Sequence, residues 1–160
     1  MKKKIISILT AALICAAFTG CGSEPSTPDN TANSASEKSI EEKTAALLDA
    51  VDFAEMVSVT ADTVNARFGI EESDVDSLSA YICGSGASPD EFGIFTAKDA
   101  DAAGRIEEAL TKRIERQRKT FQDYTPAEMY KFDSCFVDIR GNEVIYAICA
   151  DNSKAKELLK

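Results

Sequence analysis

The chain has 160 residues, 27 acidic side chains against 18 basic ones, a formal charge of −9, and neither histidine nor tryptophan. Without histidine, Ser-His-Asp and Cys-His machinery and imidazole-bound zinc are excluded within one chain. The acidic balance repels phosphate backbones, which excludes non-specific nucleic-acid binding.

Lys2, Lys3 and Lys4 precede an apolar run from Ile5 to Phe18 that only Ser7 and Thr10 interrupt. The run falls short of the roughly 20 apolar residues that span a membrane. Small residues follow it, the order of a secretory signal. Thr19 and Gly20 stand directly before Cys21, as lipoprotein signal peptidase requires, whereas bulky Ile14 makes Cys15 the poorer cleavage point. Residues 1–20 are therefore predicted to be a lipoprotein signal peptide. Cys21 is predicted to carry the acyl chains, palmitate among them, that hold the protein on the extracytoplasmic face of the plasma membrane. Removing the three leader lysines takes the formal charge from −9 to −12, so the acyl chains rather than protein charge make the membrane contact. Residues 21–38 are rich in Ser, Thr, Pro, Asn and Ala and are predicted to form a disordered tether, whose coil reaches about 20–25 Å.

Residues 39–160 are predicted to form a single α+β domain. Ser39 and Glu42 have capping-box spacing, and Ile40, Leu47, Leu48 and Val51 share one side of a helix over Ser39–Val51. Phe53–Val59 fits a strand or a loop. Thr60–Phe68 reads as a short helix closed by Gly69, and Glu71–Ser77 as an acidic loop. Leu78–Cys83 and Glu91–Ala97 read as strands, separated by a loop punctuated by Gly84, Gly86 and Pro89. Asp99–Tyr124 is the longest helix, with Ala103, Ile106, Leu110, Ile114, Phe121 and Tyr124 on its apolar side. Acids at its start and bases in its second half complement the helix dipole. Arg113 and Gln117 border that apolar side, where they cover core edges or hydrogen-bond across to the sheet.

Ser134–Arg140 and Glu143–Ala150 are predicted to pair as a hairpin around Gly141-Asn142. That register opposes Arg140 to Glu143, Ile139 to Val144 and Val137 to Tyr146, and puts Cys135, Val137, Ile139, Val144, Tyr146 and Ile148 on the core face. Cys135 and Cys149 then point to opposite faces and remain unbridged. With Cys15 removed and Cys21 acylated, three thiols are left, none in Cys-x-x-Cys spacing. Asn152–Leu159 closes the domain as a helix. The predicted architecture is a four-stranded, mostly antiparallel sheet with helices packed on one face.

The signal, Phe68-Gly69-Ile70, Gly84-Ser85-Gly86-Ala87 with Glu91 downstream, Ala97-Lys98, Arg113 with Gln117, Phe121, Tyr124 and Pro126, and the Gly141 hairpin together resemble the "domain of unknown function 4358" family of bacterial lipoproteins. The resemblance covers about residues 40–150. It implies a surface lipoprotein, mainly of Gram-positive bacteria, and brings no catalytic assignment. Phe68 stands where the pattern has tyrosine.

The best candidate site is the loop carrying Gly84, Ser85, Gly86, Asp90 and Glu91. Its glycines allow a turn whose N–H groups form an anion-binding nest, with two carboxylates beside it. A Ser85–Lys98 dyad is the histidine-free route to a nucleophile, and Asp90 with Glu91 the route to acid–base hydrolysis. The loop lacks the Gly-x-Ser-x-Gly of a nucleophile elbow. Glu71, Glu72, Asp74 and Asp76 lack the glycine and terminal glutamate of a calcium loop. The expectation is therefore a non-enzymatic envelope lipoprotein that binds a small ligand or partner protein, with no cofactor, no metal and no nucleic acid. The alternatives are a hydrolase using Ser85, Asp90 and Glu91, and a structural module of an envelope complex.

Overall fold

The computed structural model describes residues 38–160; the predicted signal, Cys21 and all but the last residue of the predicted tether lie outside the described residues. Helix α1 (Ile40–Ala50) starts at a capping box, in which Ser39 Oγ accepts the Glu42 N–H at 3.2 Å and the Glu42 carboxylate accepts the Ser39 N–H at 2.9 Å. Strand β1 (Met56–Val59), a 3₁₀ turn and helix α2 (Val64–Phe68) follow. Gly69 ends α2 at φ 76°, a conformation that glycine adopts without steric cost. Then come β2 (Val75–Cys83), β3 (Glu91–Ala97), α3 (Ala100–Tyr124), a 3₁₀ segment (Pro126–Phe132), β4 (Phe136–Arg140), β5 (Glu143–Ile148) and α4 (Asn152–Leu158).

The fold is α+β, and its sheet has five antiparallel strands in the order β1-β2-β3-β5-β4, one more than predicted. The added strand is β1, which pairs Val57 with Ile82 and Val59 with Ala80. Four residues with an exposed middle pair are too few for alternation to separate a strand from a loop. The hairpin has the predicted register, Arg140 opposite Glu143 and Val137 opposite Tyr146, with Gly141 at φ 60° in the turn.

Helices cover both faces of the sheet rather than one. On the first face α2 and α3 pack Val64, Phe68, Ile106, Leu110 and Phe121 against Phe95, Val144, Tyr146 and Ile148. On the second, α1 and α4 pack Leu47, Val51, Ala155 and Leu159 against Phe92, Ile94, Ile145, Ala147 and Cys149. The inner strands β3 and β5 are buried on both sides, so the predicted single core face of the hairpin is one of two. Ile139, placed on that face by prediction, lies on the edge strand and is exposed. In α1, Leu48 is also exposed, while Thr44 and Lys43 turn inward to Ser79 Oγ (2.7 Å) and Glu143 (2.6 Å). Cys135 packs toward the first face and Cys149 toward the second, and the thiols of Cys83, Cys135 and Cys149 are all free. No helix of the described residues is long and apolar enough to cross a membrane.

Candidate ligand cleft

Chain alternation turns Glu91, the first residue of β3, toward α3, where it is 1% exposed. A carboxylate in that position needs a cation. Arg113 supplies it, with Nε 2.9 Å from Glu91 Oε1 and Nη2 2.6 Å from Oε2. Gln117, one turn further along α3, reaches the same Oε2 at 3.3 Å. The two α3 residues bordering the apolar stripe thus bond across to the sheet. Arg113 Nη1 also donates to the Arg67 carbonyl at the end of α2, and its guanidinium lies 4.7 Å from the Phe68 ring centre. Burial disfavours charge on Arg113, but Glu91 more than offsets this and raises its pKa. The fully buried Tyr146 phenol has no hydrogen-bond partner among the described residues, and burial with the adjacent Glu91 charge pushes its pKa well above the ordinary value.

Asp90, also 1% exposed, enters a second network. Its carboxylate accepts the Ala54 N–H at 2.9 Å and lies 2.9 Å from Lys131 Nζ, which comes from the 3₁₀ segment. Lys131 further contacts Ser88 Oγ at 2.9 Å and Glu128 at 2.8 Å. Burial works against the Lys131 charge, and Glu128 and Asp90 more than restore it, so its pKa is raised. A lysine held protonated in this way is a poor base for Ser88.

Between these networks lies the Gly84–Ser88 turn. Gly84 approaches β1 so closely that a Cβ there would stand 2.9 Å from Val57 Cγ1. Gly86 takes φ 68° and its N–H donates to the Cys83 carbonyl at 3.3 Å. The Gly84 N–H donates to the Glu55 carbonyl at 2.8 Å and the Ala87 N–H to Ser85 Oγ at 3.3 Å. Burial pushes the Cys83 thiol up, but the Ser85 hydroxyl (3.3 Å from Sγ) and the peptide groups of Ser88, Ser85 and Gly86 bring its pKa below the ordinary value. The N–H groups of Gly84, Gly86 and Ala87 in the predicted nest thus meet oxygen acceptors of the chain itself. Cys149, buried without such a turn, is pushed up to about 12.

All five predicted loop residues, Gly84, Ser85, Gly86, Asp90 and Glu91, line one open cleft of about 500 Å³. Its other walls are Val57 and Ile82 from β1 and β2, Arg67 from α2, and Arg113, Gln117, Thr120, Phe121 and Tyr124 from α3. Ser85 does not meet Lys98, which follows the opposite end of β3, about 20 Å of strand away. Asp74 turns from the acidic loop to Arg105, and no group of His, Cys, Asp or Glu able to hold a metal exists among the described residues. Sequence reasoning missed Arg67, Ser88 and Lys131; Lys131 is 41 positions from Asp90 on a segment without hydrophobic periodicity.

Residues 49–149 match a family model described as Domain of unknown function (DUF4358). No curated protein and no solved structure matches the chain.

Proposed function

We propose that this chain, which belongs to the DUF4358 family, is a lipid-anchored binding module of the bacterial envelope that takes its ligand between the Gly84–Ser88 turn and α3. The cleft carries this reading. Its volume of about 500 Å³ lies within the range of ligand sites, roughly 300–1,000 Å³. It offers hydrogen-bonding groups on Ser85, Gln117 and Thr120 beside apolar surface on Val57, Ile82 and Phe121. Binding is favoured over turnover because the charged groups beneath the cleft are engaged: Glu91 by Arg113, Asp90 by Lys131. Acylation of Cys21 at the extracytoplasmic face rests on the leader and the small pair Thr19-Gly20. The ligand is a small molecule or a partner segment, and nucleic acid is disfavoured by the acidic charge.

Two measurements test this. Labelled palmitate should enter the wild-type chain and not Cys21→Ala, which should leave the membrane fraction; equal labelling of both sinks the anchor. Full-length protein in detergent, screened by NMR against small molecules and peptides, should give ligands whose binding weakens in Tyr124→Ala and Ser85→Ala. Ligands indifferent to both substitutions sink the cleft. Ester turnover that vanishes in Ser85→Ala or Glu91→Gln would instead establish a hydrolase in place of the binding reading.

A further inference from the structure

The sheet order leaves β1 and β4 at its two edges. Edge strands offer unpaired backbone groups to any passing strand unless charge, proline or a covering element protects them. The β4 edge is guarded: Asp138 and Arg140 lie along it, Lys156 of α4 reaches Asp138 at 3.2 Å, and its ammonium stands 5.3 Å from the Phe136 ring centre. The β1 edge, Met56-Val57-Ser58-Val59, has neither charge nor proline. The Gly84 N–H donates to the Glu55 carbonyl at 2.8 Å, which fixes the Glu55 backbone toward β2. Strand alternation sends Val57 and Val59 the same way and turns the N–H and C=O groups of Met56 and Ser58 outward. Among the described residues those outward groups make no hydrogen bond.

The ligand cleft opens at this same edge. Val57 lines it and is 44% exposed, because no strand of the described residues lies beyond β1; Tyr124, 70% exposed, lines it from the end of α3. A bare strand edge and an apolar opening therefore meet at Val57. We propose that the ligand is an extended segment of another protein, which adds to β1 as a sixth strand and lowers one apolar side chain into the cleft. This rests on the cleft reading and specifies its occupant. A small molecule would leave the Met56 and Ser58 backbone groups to water. Exposed Asp52 and Glu55 precede the strand and Asp62 follows it, so the segment carries Lys or Arg on either side of its apolar residue. In the cleft itself, Arg67 forms no ion pair among the described residues and repels a basic side chain. A second copy of the chain would set these acids against each other in bodies already at −9.

The test pans full-length protein in detergent against displayed random nonapeptides. Enriched peptides should place an apolar residue between basic ones and bind more weakly as salt rises. Ser58→Pro deletes an outward N–H at a position an edge strand tolerates. It should weaken the enriched peptide about tenfold or more, while Ser58→Ala binds like wild type. Hydrogen exchange gives a second readout that needs no variant: the Met56 and Ser58 amides should become protected when the peptide binds. Strand addition is overturned if these amides stay unprotected, if folded Ser58→Pro binds like wild type, or if no peptide is enriched. In the first two cases, binding that still falls in Tyr124→Ala leaves the cleft reading standing. If neither peptides nor small molecules bind, both fall. A dimer that Ser58→Pro dissociates would assign the edge to a second copy and overturn the proposal.

Discussion

Gly93 faces α3 from the middle of β3, between Glu91 and Phe95. A Cβ there would lie 2.4 Å from Phe95 Cε2 and 2.9 Å from Tyr146 Cε1. The two rings stack across it with centroids 6.4 Å apart, and Phe68 meets both edge-on at 5.8 Å. Gly93→Ala should therefore cost about 1–3 kcal/mol by overpacking, read as a lower urea midpoint. Gly93→Ala with Phe95→Leu should recover part of the loss; an unmoved midpoint in the single variant would mean that the rings shift freely. The Glu91–Arg113 pair has the opposite character, because its cost appears when one member is removed. Arg113→Met leaves Glu91 buried without its cation and should cost about 3–5 kcal/mol. Glu91→Leu with Arg113→Met should cost clearly less, since no charge is left behind. Equal losses in the single and double variants would show that packing, not charge, sets the value.

Among the elements, α3 is tied to its surroundings by Arg113, which pairs with Glu91 of β3, and by Arg105, which pairs with Asp74 before β2. Near its start, Arg105 Nη2 and Nε reach Asp74 at 2.7 and 3.0 Å and tie the turn before β2 to the helix. The Arg105 hydrogen bond holds the Asp74 carboxyl below the usual carboxylate range. A depressed folded-state value stabilises the fold above the unfolded value of about 3.9, and the contribution is lost as pH falls through the folded value. Wild type should therefore lose stability more steeply than Asp74→Asn on acidification through and below that range. The effect should be small, since Arg105 is over half exposed; parallel acid limbs would refute it. Elements with strong periodicity were legible in the sequence. The 25-residue α3 and the hairpin register follow from spacing and from Gly141-Asn142. The unbroken apolar run from Val144 to Cys149 also signals a strand covered on both faces, whereas hairpin alternation by itself assigns one core face. At the cleft, the glycine turn and the inward reach of Arg113 and Gln117 were legible. Lys131 was not, because only the folded chain brings the 3₁₀ segment to Asp90.

At the scale of the whole molecule, both helical layers share β3 and β5. Neither layer has a sheet of its own, so the α1–α4 face should not unfold separately from the α2–α3 face. Leu47→Ala on one face and Leu110→Ala on the other, both fully buried, should each cost about 2–5 kcal/mol within one cooperative transition. A separate early transition in Leu47→Ala would show that the α1–α4 layer is an independent unit. The crowding at Gly93 has a further consequence, in descent rather than in stability. Positions 93, 95 and 146 share one volume, so among related chains a side chain should arise at 93 only where 95 or 146 has given up its ring. The three positions would then be inherited as a single character, and a lineage in which they vary independently must have rebuilt this side of its sheet.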